Sequence, residues 1–215
     1  MAKLVIGTDK TVGVPAVVKE FVPVEKYPLL GRVKDDTNKD IGCVVGYHID
    51  ANNVKYAVVC LNKEFRSATQ LTWLSAQVSV PGLEGKGAFS AMQSSVTATS
   101  NCDKIMAMAP DYTSAAVTEC RSHSFVIDGT TYYGQLPTLR EFFDIIKYFN
   151  YLNTNDPSSS GPKLDSHNYS WVCHDSSTAG YAVNVNPPLT SGISTQDYNM
   201  TWQRAVVPIL EIPIN

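Results

Sequence analysis

The order of its sequence patterns predicts that this chain of 215 residues has an α+β fold. A hairpin pattern comes first, two helical patterns follow in the middle, and several short strand-like segments come last. Strands and helices that are segregated along a chain favour antiparallel sheets with helices packed to one side, whereas regular alternation favours a doubly wound parallel sheet. The length suits one well-filled domain with an appendage.

The hairpin is predicted over residues 41–61. It consists of two mostly apolar segments, IGCVVGYHI and VKYAVVCL, which are joined by the turn-forming residues 50–53. Just before it, the polar stretch DDTNKD at residues 35–40 is typical of a linker. The chain is therefore predicted to divide into a short extended N-terminal attachment or oligomerisation arm, residues 1–40, and a main domain, residues 41–215.

The strongest helix signal begins at Thr138. The Leu-Pro pair before it forces an extended approach, and Thr138 and Glu141 have the spacing of a reciprocal capping box. An apolar face follows at spacings of three and four and is expected to be buried, whereas the opposite face, which includes Glu141, is polar. The apolar face comprises Leu139, Phe142, Phe143, Ile146 and Phe149.

Two weaker helix signals come earlier in the chain. Asp111 is a candidate N-cap for a helix that ends near Ser122, and residues 88–98 have the pattern of a short helix. Residues 99–110 are predicted to form a loop. The remaining strand-like segments alternate with Gly, Pro, Ser and Asn between residues 168 and 214.

The composition excludes several classes of function. Lys and Arg total 17 and Asp and Glu total 20, and no basic cluster is present that would neutralise a row of phosphates, so nucleic-acid binding is not expected. No apolar run approaches the ~18 residues of a membrane helix, so membrane insertion is not expected either. The apolar run after Lys3 is too short for a signal peptide, which predicts a cytosolic protein or one released by lysis.

The cysteines and histidines give little sign of chemistry. The five cysteines are an odd number without the spacing of a disulfide scaffold, so they are predicted to be reduced and mostly buried. Cys120 with His123 and Cys173 with His174 lack the spacing of four zinc ligands, and the Glu-Pro-Asn, Gln-Pro-Asp and Trp-Asn-Asp motifs of calcium-dependent sugar binding are absent. We therefore predict no metal, cofactor or catalytic residue, with a thiol nucleophile beside a histidine as the alternative.

Several segments, taken in order, resemble bacterial and phage domains with a C-type-lectin-like fold. That family includes the variable proteins of diversity-generating retroelements and phage tropism determinants. The resemblance implies a twisted antiparallel sheet with two helices, which displays a C-terminal surface to a host molecule. One departure is that residues 172–175 split the family's Trp-Ser-Ser-Thr block. The matching segments are residues 42–50 (GCVVGYHID), 56–59 (YAVV), Trp73, 116–120 (AVTEC), 133–142 (YGQLPTLREF), 170–178 (SWVCHDSST), 181–186 (YAVNVN) and 204–209 (RAVVPI).

The resemblance also implies a setting for the protein. It implies a non-enzymatic virion surface protein, a head or tail fibre, that displays the lectin-like domain for host attachment. Residues 1–20 are similar to the N-termini of fibre-type proteins of phages that infect gut bacteria, which implies that the arm binds other virion proteins and that the subunits form homotrimers or homodimers. Such a protein is made in the host cytoplasm and resides on the virion surface. The alternatives are a bacterial surface adhesin or variable ligand-binding protein, and a cysteine-dependent enzyme on the same fold.

Aromatic and amide side chains are concentrated between His167 and Arg204. Rigid aromatic area combined with adaptable hydrogen bonding is typical of recognition surfaces, so we expect these loops to bind a host surface glycan or protein. The alternative is that Tyr181 and Trp202 fill the core and that the asparagines serve turns. The candidate ligand-binding residues are Tyr181, Asn184, Asn186, Asp197, Tyr198, Asn199 and Trp202.

Overall fold

A computed structural model describes residues 26–164, 170–175, 181–186 and 194–214. Its paired strands are antiparallel in every sheet, which confirms the predicted α+β class. In chain order the strands are β1 Arg32–Lys34, β2 Asp40–Ile49, β3 Lys55–Leu61, β4 Leu71–Thr72, β5 Ser124–Ile127, β6 Thr130–Tyr133, β7 Ser170–Asp175, β8 Tyr181–Asn186, β9 Ser194–Asn199, β10 Gln203–Arg204 and β11 Ile209–Ile214. The α-helices are α1 Gly87–Gln93, α2 Ala98–Met106, α3 Ala115–Ser122, α4 Leu139–Lys147 and α5 Phe149–Asn155.

The main sheet has the strand order β1–β2–β3–β11. The predicted hairpin is confirmed, because β2 pairs with β3 in a register that places Cys43 opposite Cys60. Asp50 closes the turn between them, since its Oδ1 accepts the N–H groups of Asn52 and Val54 at 2.8 and 2.9 Å. The last strand of the described residues, β11, pairs with β3, so the first and last described strands belong to one sheet.

The polar stretch predicted as a linker is instead the turn of a second hairpin. Strand β1 pairs with β2, and Asp35 Oδ1 accepts the N–H groups of Thr37 and Lys39 across the turn. Asp and Asn therefore serve here to close a turn rather than to solvate a flexible connection. Residues 26–34 consequently lie against the main sheet, whereas residues 1–25 of the predicted arm lie outside the described residues.

Side chains of the main sheet pack on both faces. Cys43, Val45, Val58 and Cys60 belong to the larger core, which they share with the helices. The alternate positions of β2 and β3 belong to a smaller core on the other face, which includes Phe125 and other residues of β5. The sheet is thus covered by helices on one side and by the β5–β6 hairpin on the other.

Helix α4 begins as predicted. Thr138 Oγ1 accepts the N–H of Glu141 at 3.2 Å, and Glu141 Oε2 accepts the N–H of Thr138 at 2.8 Å, so both halves of the capping box are present. The prediction that Glu141 lies on a polar, exposed face is wrong, because its side chain is buried and points into the interior. The helix ends at Lys147, and α5 begins directly after Tyr148, which is the C-cap of α4 and the N-cap of α5.

The middle of the chain differs most from the sequence prediction. Residues 99–110, predicted as a loop, contain most of α2, whose N-cap Thr97 accepts the N–H of Ser100 at 3.1 Å. Helix α3 is capped by Ser114 rather than by Asp111. The described residues therefore contain five α-helices, not the two that the resemblance implies.

Two buried tryptophans connect the middle of the chain to its last third. Trp73 Nε1 donates to the Val172 carbonyl and Trp171 Nε1 donates to the Leu71 carbonyl, each at 2.8 Å. Both indoles are fully buried, so each contributes a large apolar area and satisfies its one donor at the same time. This reciprocal pair fixes β7 beside β4.

Candidate functional site

Six of the seven predicted ligand-binding residues fall on two paired strands rather than on loops. Strand β8 contains Tyr181, Asn184 and Asn186, and β9 contains Asp197, Tyr198 and Asn199. The register pairs Tyr181 with Asn199, so the two ends of this predicted surface meet in one ladder. The side chains of Tyr181, Asn184, Asn186, Asp197 and Tyr198 lie outside the described part of the structure.

The seventh residue, Trp202, lies on the tight turn after β9. We call residues 199–204 the Trp202 turn. Asn199 Oδ1 accepts the N–H and the hydroxyl of Thr201 at 2.9 and 2.8 Å, and the Trp202 N–H donates to the Asn199 carbonyl at 3.0 Å. Asn199 therefore serves the turn, as the alternative interpretation predicted, whereas Trp202 is 51% exposed and does not fill the core.

The Trp202 turn is attached firmly to the interior. Met200 is fully buried, and its carbonyl accepts the N–H groups of Trp73 and Leu74 at 3.0 and 3.2 Å. The last two residues of the turn form strand β10, which pairs with β4 and places Gln203 opposite Thr72. The indole of Trp202 is also approached by the guanidinium of Arg204, 5.5 Å from the ring centre. An exposed aromatic ring is thus presented from a backbone that the core holds in place.

The thiols have the opposite of the properties that a nucleophile needs. All five cysteines are free and buried. Burial raises the pKa of the Cys43 thiol to about 11, and burial also raises the pKa values of Cys120 and Cys173 well above the ordinary range. A catalytic cysteine requires a lowered pKa and access to solvent.

His174 is also poorly placed for catalysis. Burial lowers its pKa to about 4, so the ring is neutral at pH 7. Its Nδ1 lies 3.0 Å from the Glu84 carbonyl and takes the role of donor there, while Nε2 has no partner among the described residues. The ring is therefore held inside the protein and does not face the adjacent Cys173 thiol as an exposed base. In the described parts of the chain, no three His, Cys, Asp or Glu side chains gather in a way that would hold a metal ion.

Two glutamates meet in the interior between α4 and β11. Glu211 accepts the N–H groups of Ala98 and Thr99 at 2.8 Å each and the Thr99 hydroxyl at 2.7 Å, so its carboxylate caps the N-terminus of α2. Burial, and then the charge of Glu211, raise the pKa of Glu141 well above its usual range. Glu141 Oε1 has no hydrogen-bond partner among the described residues, and the raised pKa favours the protonated form of Glu141. The pair is a structural link between helix and sheet.

A groove that sequence reasoning missed lies between β6, β11 and the start of α2. We call it the tyrosine groove. It encloses about 290 Å³ and combines aromatic rings, hydroxyls and an amide. Its lining residues come from segments far apart in the chain, and the one local signal is the Thr-Thr-Tyr-Tyr sequence of β6, which places polar and aromatic groups side by side. The lining residues are Tyr56, Thr97, Thr99, Arg121, Thr131, Tyr132, Tyr133, Gln135, Glu211 and Pro213.

Comparison with known proteins does not assign this chain to a family. No family model matches the chain, and neither a curated protein nor a solved structure matches it significantly. Within the described residues, every helix is too short or too polar to span a bilayer.

Proposed function

We propose that this protein is a non-enzymatic virion surface protein, a head or tail fibre, and that its C-type-lectin-like domain attaches to a host surface molecule through the last third of the chain. The observation that carries the proposal is the Trp202 turn. The Trp202 indole is half exposed, so a large apolar area is available for burial against a partner. Trp is one of the side chains enriched at the energetic centres of interfaces.

The geometry of the support favours binding over chemistry. Met200 and β10 hold the turn by backbone hydrogen bonds to Trp73, Leu74 and β4, so little conformational entropy is lost when the indole is covered. The Cys173 thiol and the His174 ring, by contrast, are held in their neutral forms inside the protein. Contact area on a rigid support is the property that a display protein needs.

The lectin-like assignment is supported by where the resembling segments lie. Residues 42–50 and 56–59 lie on the central hairpin, residues 133–142 lead into the capped helix α4, and residues 204–209 lead into β11 of the same sheet. The segments are thus joined in one packed unit. The setting on a virion depends on the resemblance of residues 1–20 to fibre-type proteins.

The test uses purified virus particles whose genome encodes this chain. Antibodies are raised against a peptide of residues 1–25 and against the Trp202 turn in the folded protein, and both are applied to intact particles for electron microscopy. We expect the turn to be labelled and the N-terminal peptide to be hidden, because the arm anchors the protein. Equal labelling by both antibodies contradicts the anchoring role. Absence of the protein from the particles rejects the virion setting and favours a bacterial surface protein.

A further inference from the structure

We propose that the tyrosine groove is a second binding site, specific for a neutral saccharide and independent of the Trp202 turn. The groove lies along the outer side of β11, beside the bridge in which Gln135 and Ile209 exchange backbone hydrogen bonds of 2.8 and 3.0 Å. Its volume of about 290 Å³ is close to the lower end of the range for small-molecule sites, roughly 300–1,000 Å³. That volume suits one or two sugar rings.

The charges that line the described part of the groove are matched within the protein. The charge of Arg121 is paired with Asp103, because Arg121 Nη2 lies 2.6 Å from Asp103 Oδ1, and the buried Arg121 Nε, which has no partner among the described residues, remains as a donor for a hydroxyl oxygen. The Glu211 carboxylate accepts three hydrogen bonds from the start of α2. A charged ligand would lose its own hydration without gaining a free counter-charge, so the groove favours a neutral polar ligand.

The remaining surface matches a ligand with both apolar and hydroxyl faces. Tyr133 is 50% exposed, and Thr131 and Thr99, which also line the groove, are exposed; the Thr99 hydroxyl donates to Glu211, so toward a ligand it serves as an acceptor. A sugar ring presents a C–H face that packs on an aromatic ring and hydroxyls that exchange hydrogen bonds with other hydroxyls. Tyr rings supply this contact at a low cost in conformational entropy.

Gln135 supplies an unused acceptor in the base of the groove. The residue is only 3% exposed, its Nε2 donates to the Tyr133 carbonyl at 3.0 Å, and its Oε1 has no partner among the described residues. A buried acceptor without a donor is costly, and the terminal torsion of Gln is broad, so a small rotation brings Oε1 toward a ligand hydroxyl. A sugar hydroxyl is a donor of the required kind.

An extended peptide is the rival ligand, and the edge of β11 argues against it. The Pro208 carbonyl accepts from Leu61 of β3, whereas Ile209 bonds to Gln135 on the opposite side. The backbone N–H and C=O groups of successive residues in a strand point alternately to its two sides. Those of residues 211 and 213 therefore point away from β3, toward the groove, as those of Ile209 do. Residue 213 is a proline and has no N–H to donate, so pairing with an added strand is interrupted there.

Saturation-transfer NMR on the full chain tests the proposal. The probes are glucose, galactose, mannose, N-acetylglucosamine and maltose, with glucuronic acid as the charged counterpart. The best neutral sugar is then titrated against variants. We expect Tyr133→Ala to weaken binding by about tenfold, the loss of one aromatic contact, and Tyr133→Phe to stay within about twofold. Tyr151→Ala, at a 36% exposed tyrosine of α5 outside the groove, is the matched control.

Several outcomes separate the two surfaces. Trp202→Ala is expected to leave sugar binding unchanged, so that failure of host attachment and failure of sugar binding are distinguishable. Thermal unfolding of each variant shows that loss of binding does not come from loss of the fold. No transfer to any neutral sugar, equal affinity in Tyr133→Ala, or equal binding of glucuronic acid each overturns the proposal.

Discussion

Trp73 and Trp202 belong to two segments that hydrogen-bond to each other, yet their side chains lie in opposite environments. The Trp73 N–H donates to Met200, two residues before Trp202, and β4 pairs with β10 beside them. The indole of Trp73 is fully buried, whereas that of Trp202 is 51% exposed. One side of this short ladder thus packs an indole into the core, and the other presents an indole at the surface.

The largest expected effect on the free energy of unfolding is at the buried Trp73. Trp73→Ala removes a fully buried indole and leaves the Val172 carbonyl without its 2.8 Å donor. We expect the free energy of unfolding to fall by about 3–5 kcal/mol, as measured by urea denaturation. Trp73→Phe keeps most of the volume and is expected to lose less. A loss below about 1 kcal/mol for Trp73→Ala would show that this ladder is not part of the main core.

The second effect concerns His174, which lies on the β7 strand that Trp73 and Trp171 fix in place. Its folded pKa of about 4 lies below the ordinary value of 6.5, so between these values the unfolded chain binds a proton that the folded chain does not. The free energy of unfolding therefore carries no penalty from His174 above pH 6.5, and it decreases as the pH falls from 6.5 to about 4. A shift of this size corresponds to roughly 3 kcal/mol.

The measurement is the free energy of unfolding against pH for the native protein and for His174→Asn, whose amide still offers a donor to the Glu84 carbonyl. We expect the difference between the two curves to change between pH 6.5 and 4. Burial raises the pKa values of Glu141 and Asp175, which gives a slope of opposite sign, but both groups are present in both proteins and cancel in the difference. Parallel curves would mean that His174 titrates in the folded state as it does in water.

The third effect is smaller and concerns the start of α4. Thr138→Ala removes the hydroxyl that accepts from the Glu141 N–H and donates to Glu141 Oε2 at 2.8 Å. We expect a loss of about 1–2 kcal/mol in the free energy of unfolding, in the range measured for N-caps. Thr138→Ser keeps the hydroxyl and is the matched control, and an equal loss in both variants would assign the effect to packing instead.

The same cap shows how far sequence reasoning reaches. The Thr138 and Glu141 pair was predictable because a capping box is defined by two residues three positions apart. The burial of Glu141 was not, because its partner Glu211 is far away in sequence and only the fold brings the two carboxyls together. Amphipathic patterning assigns a glutamate to the polar face by default.

The middle helices and the two candidate surfaces show the same limit. The buried face of helix α2 has helical spacing but includes the polar Asn101 beside Ala98, Cys102 and Ile105, so its amphipathic pattern is weak in the sequence. Strand β9 reads STQDYN, which has no apolar alternation. The tyrosine groove depends on β3, β6 and β11 meeting one helix end, a long-range arrangement that local patterns do not specify. Trp202 was a candidate from its residue type alone, and sequence could not decide between a core position and the half-exposed position that it has in the structure.

The smallest expected effect on stability is at Trp202 itself. Trp202→Ala removes a half-exposed ring and its contact with the Arg204 guanidinium, so we expect the free energy of unfolding to change by only about 0.5 kcal/mol. The same variant is expected to lose the ability of the purified protein to compete with virus particles for adsorption to host cells. Trp202→Phe, which keeps an aromatic ring, is expected to retain part of that competition. If Trp202→Ala competes as well as the native protein, the turn is not the attachment surface; if it unfolds as readily as Trp73→Ala, the two sides of the ladder do not have separate roles.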